Sequence, residues 1–153
     1  MSHFLGTHHN RFDAKGRVSV PAPFRAHLKH GPEALVATMI LRPSYKYPCI
    51  EGCSEAWFDT LAAPLGRLDM FSEDQDDLLT ALYAGSSRVE ADKEGRVSLP
   101  ESLVQYAGLA DGVTFMGLGR VFQIWEPAAA ERRRAEALNG VRSRRTTLPG
   151  ASA

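Results

Sequence analysis

Residues 12–21 read FDAKGRVSVP, and residues 91–100 read ADKEGRVSLP. The two stretches are 79 residues apart, and Asp, Gly, Arg, Val, Ser and Pro coincide in the same order. Self-similarity of this kind is typical of a duplicated supersecondary unit. The sequence therefore predicts two copies of one unit, packed with pseudo-twofold symmetry.

The flanks of the two copies share one pattern of elements. Each proline is followed by a short helical stretch and then by two apolar, strand-like runs. These cover residues 22–30, 35–40 and 45–50 in the first copy, and residues 101–107, 113–118 and 121–125 in the second. The pair Gly119-Arg120 between the last two runs is typical of a tight hairpin turn. Strands and helices in each copy predict an α+β fold, with two βαβ-type repeats around a small barrel-like β core and flanking helices.

Helical segments lie between and after the copies. Ser54 is a candidate N-cap for a helix over residues 55–61, and Ser72 with Gln75 matches a capping box. A further helix is predicted over residues 128–138, ending at Asn139-Gly140, with a frayed tail over residues 140–153. The expected organisation is a first repeat, a helical insert, a second repeat, and a C-terminal helix with a basic tail: residues 1–53, 54–84, 85–127 and 128–153.

The charge is unevenly distributed along the 153 residues, although the formal net charge is zero. Residues 1–30 carry five Lys or Arg against one Asp, and residues 131–145 carry six Arg against two Glu. Residues 51–77 carry eight acidic residues against one Arg. A neutral total thus hides basic ends around an acidic middle, and basic ends are compatible with nucleic-acid binding.

Signals for secretion and for a membrane span are absent from the sequence. No charged n-region precedes an apolar h-region, and no apolar run approaches the roughly 18–20 residues that span a bilayer. We expect a soluble, cytoplasmic protein without a membrane partner.

Motifs for catalysis or for metal binding are also absent. The sequence contains no Gly-x-Ser-x-Gly, no His-Glu-x-x-His and no phosphate loop, so we predict no enzyme activity, no small-molecule substrate and no cofactor. Cys49 and Cys53 are four residues apart, without a second cysteine pair or a nearby histidine to complete four ligands. We interpret them as small buried or half-buried thiols; a metal or redox site is the alternative.

The loop Asp13-Ala14-Lys15-Gly16-Arg17 is the main candidate binding site. Gly16 permits a positive φ, and Asp13 can accept hydrogen bonds from nearby backbone N–H groups while pairing with Arg17. Lys15 and Arg17 would then project from a rigid hairpin. Lysine suits a phosphate contact, and arginine suits a bidentate contact with a base or a phosphate.

The second loop repeats this chemistry with one difference. Asp92 and Gly95 are predicted to structure the loop, and Lys93 and Arg96 are its candidate DNA contacts. Glu94 weakens its positive field. A single Asp-x-x-x-Arg pattern is often a surface salt bridge worth under about 1 kcal/mol, but its duplication favours a function.

Arg11, beside the first loop, is a further candidate DNA contact. It follows His8 and His9 in a strand-like run, and neighbouring strand residues point to opposite faces, which disfavours a joint histidine metal site. The arginines of residues 131–145 could add nonspecific DNA affinity; a solvated helix face and tail is the alternative interpretation.

These residues resemble the MraZ family over about residues 4–126. The first half matches at Phe4-Leu5-Gly6, the first loop, Pro21 and Phe24-Arg25, and the second half matches at the second loop, residues 106–109 and Ile124-Trp125. The resemblance implies two SpoVT-AbrB-type repeats. It also implies a nucleoid-associated ring homo-oligomer that binds repeated boxes in double-stranded DNA upstream of its own division and cell-wall gene cluster. Within the family the arginine of the first loop is the better candidate for DNA contact, which corresponds to Arg17 with Lys15 beside it.

Three positions depart from the family pattern. Val104 stands where the second copy usually carries an arginine, the counterpart of Arg25. Gln123 replaces a common acidic residue, and residues 42–52 differ from the usual form. The sequence predicts a sequence-specific transcriptional regulator, in the role of repressor. The alternatives are an AbrB-like antitoxin, which normally has one repeat and a toxin-binding tail, and a ring-forming scaffold whose loops contact protein partners.

Overall fold

Two antiparallel β-sheets of unequal size form the centre of the molecule. The computed structural model describes residues 3–29, 35–67, 72–145 and 148–149. The strands are β1 (Thr7–Arg11), β2 (Arg17–Ser19), β3 (Thr38–Pro43), β4 (Ile50–Cys53), β5 (Ser87–Glu90), β6 (Arg96–Ser98), β7 (Gly112–Gly117) and β8 (Phe122–Trp125). The α-helices are α1 (Ala22–Leu28), α2 (Glu55–Ala62), α3 (Glu73–Leu79), α4 (Glu101–Tyr106) and α5 (Pro127–Arg144). A 3₁₀ turn (Ala63–Arg67) follows α2, and a π turn (Thr80–Ala84) follows α3.

The larger sheet has the strand order β1-β7-β8-β4-β3-β5, and β2 pairs with β6 in a separate two-stranded ribbon. Because β1, β3 and β4 correspond to β5, β7 and β8 of the second copy, this order is the same when read from either edge. Each copy therefore gives its first strand to the other: β1 pairs with β7, and β5 pairs with β3. The α+β fold with two pseudo-symmetric repeats is confirmed. Within the described residues β1 and β5 remain separate edges, so closure into a barrel is not observed.

The largest hydrophobic core cluster of the described residues is built from both copies. Its centre is an edge-to-face cluster in which the ring centroid of Phe4 lies 5.1 Å from that of Phe24 and 5.0 Å from that of Phe122. Val18 of β2 and Val97 of β6 point into the same core and are each 1% exposed. Full burial of such side chains contributes about 1.5–3 kcal/mol each. The ribbon is thereby held with one face inward and the other free.

Several local predictions are confirmed by hydrogen bonds. Ser54 Oγ accepts from the backbone N–H of Trp57 at 3.0 Å, and Ser72 Oγ accepts from that of Gln75 at 3.1 Å, so both serines cap helices. Gly119 has a φ of +85°, as the tight turn between β7 and β8 requires. The predicted helices over 22–30 and 101–107 correspond to α1 and α4; residue 30 lies outside the described residues.

The predicted strands over 35–40 and 45–50 are displaced. β3 begins at Thr38, where its pairing with β5 begins; pairing with β4 follows from Ile40, and Leu35 is 88% exposed. Residues 45–49 form a turn because Ser44 Oγ accepts from the backbone N–H groups of Lys46 and Tyr47, both at 3.2 Å. The second strand of this copy is therefore β4, which begins at Ile50.

The C-terminal helix is longer than the sequence predicts. It continues through Asn139 and Gly140 to Arg144, and it ends at Arg145 with a φ of 50°. Glu126 caps its start, since the carboxylate accepts from the backbone N–H groups of Ala128 and Ala129 at 3.0 and 2.8 Å. The predicted frayed tail is thus wrong for residues 140–144, and residues 146–147 and 150–153 lie outside the described residues. In the described part of the chain, no helix is long and apolar enough to cross a membrane.

Candidate nucleic-acid interface

The first loop, Asp13–Arg17, is organised around one carboxylate. Asp13 Oδ1 accepts from the backbone N–H groups of Lys15 and Arg17, both at 2.9 Å. Asp13 Oδ2 accepts from Arg17 Nε at 2.9 Å and lies 2.9 Å from Arg17 Nη2. Gly16 adopts a φ of +77°, which lets the chain turn back into β2. The carboxylate thus holds both the loop backbone and the arginine side chain.

The second loop, Asp92–Arg96, repeats this geometry within about 0.1 Å. Asp92 Oδ1 accepts from the backbone N–H groups of Glu94 and Arg96 at 2.9 and 3.0 Å, and Oδ2 accepts from Arg96 Nε at 3.0 Å. Gly95 has a φ of +85°. Conservation of one hydrogen-bond pattern in two separate loops indicates that the duplicated sequence encodes this local structure.

Hydrogen bonds to the two carboxylates favour their ionised forms. The backbone N–H of Arg17 is the main group that holds the pKa of Asp13 below its ordinary value, and the N–H of Lys15 contributes. The backbone N–H of Arg96 lowers the pKa of Asp92 in the same way. Both arginines therefore face an anionic partner at neutral pH.

The outer face of the β2–β6 ribbon brings the two loops together. Side chains alternate along each short strand, and the valines point inward, so the four other ribbon residues share the outward face. These are Arg17, Ser19, Arg96 and Ser98. Val20 N–H donates to the carbonyl of Gly95 at 2.9 Å, and Arg96 Nη1 lies 4.0 Å from Asp13 Oδ2. The ribbon thus presents both arginines on one surface.

The charges of the two loops differ. Arg17 pairs with Asp13, whereas Arg96 pairs with Asp92 and also with Glu94, whose Oε2 lies 2.8 Å from Arg96 Nη2. Glu94 occupies the position that Lys15 occupies in the first loop.

The lysines of both loops are available to a ligand. Lys15 and Lys93 are exposed, and neither makes an ion pair within the described residues. The first loop carries a net positive charge, whereas the second loop is neutral.

Arg11 lies at the base of the first loop. It ends β1 opposite Gly112 and is exposed, and it makes no ion pair with any described residue. Asn10 Nδ2 donates to the carbonyl of Ser19 at 2.6 Å, which joins β1 to the ribbon. Arg11 is therefore placed beside the loop surface but is not fixed by an acidic partner.

Arg25 of α1 was missed as a site residue. Its Nη1 donates to the carbonyl of Glu94 at 3.3 Å, and its guanidinium covers Gly95. The contact joins residues 69 apart in sequence, so no local pattern indicates it. The signals in the sequence were its place in the family match at Phe24-Arg25 and the valine at its counterpart, Val104, which packs against the core.

The histidines and the basic helix lie in other surroundings. His9 Nδ1 lies 2.7 Å from Thr114 Oγ1, and His8 Nε2 lies 3.1 Å from the carbonyl of Leu5, as befits strand residues. Arg133 of α5 stacks 4.4 Å over the ring of Tyr47. The side chains of His8, His9 and Arg133 thus make contacts within the protein.

The two cysteines are buried, as one of the two interpretations expects. Burial raises the pKa of Cys49 to about 12 and that of Cys53 to about 11. Since the thiolate is the reactive form, neither thiol is suited to nucleophilic or redox chemistry at neutral pH. Among the described residues, no cluster of three or more His, Cys, Asp or Glu side chains could hold a metal ion.

Comparison with known proteins agrees with the duplicated architecture. A family model described as "MraZ protein, putative antitoxin-like" matches residues 3–80 and 82–140. A protein of Gluconacetobacter diazotrophicus named transcriptional regulator MraZ is 60% identical over 149 residues, covering 97% of this chain and 93% of its own. Proteins of the same name from Gluconobacter oxydans and Pelagibacter ubique are 54% and 38% identical, covering 100% and 95% of this chain and 93% and 92% of their own. The chain spans almost the whole length of each of these relatives.

Proposed function

Because the chain belongs to the MraZ family, we propose that it is a transcriptional regulator that binds double-stranded DNA through its two aspartate-anchored loops. In this proposal it acts as a sequence-specific repressor of the division and cell-wall gene cluster that includes its own gene. It binds tandem promoter repeats as a ring homo-oligomer in the nucleoid. In this role the protein binds DNA and acts on no small-molecule substrate.

The observation that carries the proposal is the fixed position of Arg17 on the outer face of the ribbon. Asp13 binds Nε and Nη2 of this arginine, which leaves Nη1 as a donor with a defined direction. A guanidinium held in this way loses less conformational entropy when it binds a base edge or a phosphate. Lys15, two residues away and without an ion pair in the described part of the chain, adds a phosphate contact.

Affinity from one protomer is expected to be weak. Two cations in one loop neutralise few phosphates, and each phosphate contact contributes about 0.9 to the slope of log affinity against log salt. Several protomers that engage neighbouring boxes would raise the effective concentration of each further loop. This argument supports an oligomer, because repeated weak contacts then give stable binding.

The surfaces available for self-association are complementary in charge and carry exposed apolar residues. From Arg134 onward α5 is solvent-exposed for almost its whole length, with Leu138 50% and Val141 45% exposed beside the basic C-terminal turn. The segment of α3 and its π turn begins with exposed acidic residues and carries Leu78 and Tyr83, 41% and 53% exposed. We propose that α5 of one protomer packs against this acidic segment of the next, a head-to-tail contact that can close into a ring.

The test is a gel shift with DNA from upstream of the chain's own gene. Arg17→Ala is expected to weaken binding by about tenfold or more, the loss typical of one specific arginine contact. Arg120→Ala is the matched control: it removes an exposed arginine from the β7–β8 turn, about 20 Å along β7 from the end that contacts Arg11. Equal binding by wild type and Arg17→Ala, with the oligomer intact, would reject the loop as the DNA contact.

An antitoxin function is the second candidate, favoured by the match to a family described as antitoxin-like. An antitoxin would bind a protein toxin encoded beside it, and the first loop would matter less than a toxin-binding segment. A scaffold ring would likewise bind proteins through the loops. Promoter binding that depends on Arg17 and needs no added protein distinguishes the regulator from both.

A further inference from the structure

The two loops are alike in backbone but differ in what covers their glycines. At Gly16 of the first loop, a Cβ would meet no atom of the described residues within 4 Å. At Gly95 of the second loop, a Cβ would lie 2.5 Å from Arg25 Cζ, so the guanidinium occupies that space. Gly16 is exposed and Gly95 is buried.

Arg25 reaches the second loop from the first repeat. It lies in the last turn of α1, its Nε is buried, and its Nη1 donates to the Glu94 carbonyl at 3.3 Å. The symmetric contact would come from residue 104 onto Gly16. Residue 104 is valine, which packs against the core, so the first loop has no such cover.

We propose that Arg25 is a positioning residue for DNA binding that holds the second loop in its binding conformation across the repeat boundary. It makes the two loops unequal. The first loop binds DNA with an open glycine face, where a phosphate can approach the backbone. The second loop binds as a preformed unit whose glycine face is closed by the guanidinium. This inference rests on the proposed function.

The physical reason is the charge of the second loop. Glu94 pairs with Arg96, so the second loop carries no net charge. Arg25 places a cation beside Gly95 and donates to the Glu94 carbonyl at the same time. A lysine at position 25 would keep the charge, but it lacks the planar group that covers Gly95 while donating to the carbonyl.

The test is a double-mutant cycle between Arg25→Ala and Gly95→Ala, with Gly16→Ala as the matched control. Both glycines have a similar positive φ, so both alanines cost similar backbone strain, but only the Gly95 substitution displaces Arg25. Promoter affinity and the thermal midpoint are measured for each variant. We expect Arg25→Ala and Gly95→Ala to be non-additive by about fivefold in affinity and about 3 °C in midpoint, and Arg25→Ala and Gly16→Ala to be additive.

The Arg25→Lys variant distinguishes the positioning of the second loop by the guanidinium from the effect of a positive charge at position 25. Arg25→Ala is expected to weaken promoter binding about tenfold in a folded protein, and Arg25→Lys to recover less than half of that loss on a logarithmic scale. Full recovery by lysine, unchanged affinity of a folded Arg25→Ala protein, or additivity with Gly95→Ala in both readouts would each overturn the proposal. If wild type itself fails to bind promoter DNA, the proposed function fails, whereas the coupling in thermal midpoint still reports whether Arg25 holds the loop.

Discussion

At the residue scale, the paired aspartates orient cations more than they stabilise the fold. The side chains of Asp13 and Arg17 are 33% and 26% exposed, and ion pairs in such solvent-accessible positions contribute little to folding. The same pair fixes an arginine side chain that would otherwise sample many rotamers. Two such pairs at equivalent places are therefore better explained by the use of the arginines than by stability.

The charge difference between the loops gives a reciprocal prediction. Lys15→Glu makes the first loop resemble the second, and Glu94→Lys makes the second resemble the first. We expect Lys15→Glu to lower promoter affinity and Glu94→Lys to raise it, each with a change of about one in the slope of log affinity against log salt. Fluorescence anisotropy over a range of salt concentrations measures both. Opposite signs, or no change in either variant, would contradict the assignment of these positions to the DNA surface.

Acid pH provides a second test at this scale. Because the pKa values of Asp13 and Asp92 are lowered in the folded protein, their contribution to stability is present above the ordinary value of 3.8 and is lost as pH falls through the folded values. The variant with both Asp13→Asn and Asp92→Asn should be less stable than wild type at pH 7, and the difference should shrink below about pH 4. Thermal melts from pH 7 to pH 3 measure this, with Asp77→Asn on α3 as control. A constant difference across that range would show that the carboxylates contribute nothing through ionisation.

At the scale of elements, caps and turns made by residues close in sequence could be predicted. Strand bounds and helix ends that depend on contacts distant in sequence could not. Ser54 and Ser72 accept from backbone N–H groups three residues away, and the turn at Gly119 is closed by the bond from Leu118 N–H to the Val121 carbonyl, so their sequence patterns were sufficient. The span of β3 depends on pairing with β4 and β5, which apolar runs do not encode. Asn139-Gly140 suggested a helix end, yet α5 continues through both residues.

The candidate site divides in the same way. The duplicated motif was sufficient to predict the structure of both loops, because the hydrogen bonds of each loop lie within five consecutive residues. The shared outer face of the ribbon and the cover of Gly95 by Arg25 depend on how the repeats pack, which one sequence alone does not reveal. The role of these residues in DNA binding stays a prediction.

The stability of the exposed C-terminal end of α5 can be tested by substitution of Gly140. Gly140→Ala should stabilise the last turns by about 0.5–1 kcal/mol, because alanine has the higher helix propensity and the new Cβ meets only the mobile end of Arg144. Amide hydrogen exchange of residues 141–144 should slow by about fourfold. Gly108→Ala is the control with the opposite sign: Gly108 has a φ of +63° after α4, so alanine there should lower the thermal midpoint. Faster exchange in Gly140→Ala would contradict the helical end.

At the scale of the whole molecule, the repeats are interleaved. The six-stranded sheet takes its edge strand beside β7 from the first copy and its edge strand beside β3 from the second. Each repeat thus completes the other's sheet, and the shared core keeps both loops on one rigid ribbon. The segment boundaries at 53/54, 84/85 and 127/128 remain a prediction about the organisation of the chain.

The proposed contact between protomers is tested on α5. Leu138 and Val141 are three residues apart and share one helix face, so Leu138→Asp with Val141→Asp places two charges there against an acidic partner. Since both side chains are exposed, the protomer should stay folded while light scattering shows a fall toward the monomer mass. Leu35→Asp, at a leucine that is 88% exposed before β3, should leave the assembly intact. An unchanged mass for the double variant would place the contact elsewhere.

The salt dependence of binding to promoter DNA that carries tandem boxes tests most directly whether Arg17 of several protomers contacts the DNA. Wild type and Arg17→Ala are titrated by fluorescence anisotropy at a series of salt concentrations. If identical loops of an oligomer engage the DNA together, Arg17→Ala should reduce the slope of log affinity against log salt by about two or more, roughly 0.9 for each loop engaged. Coincident slopes and affinities for the two proteins would contradict the account.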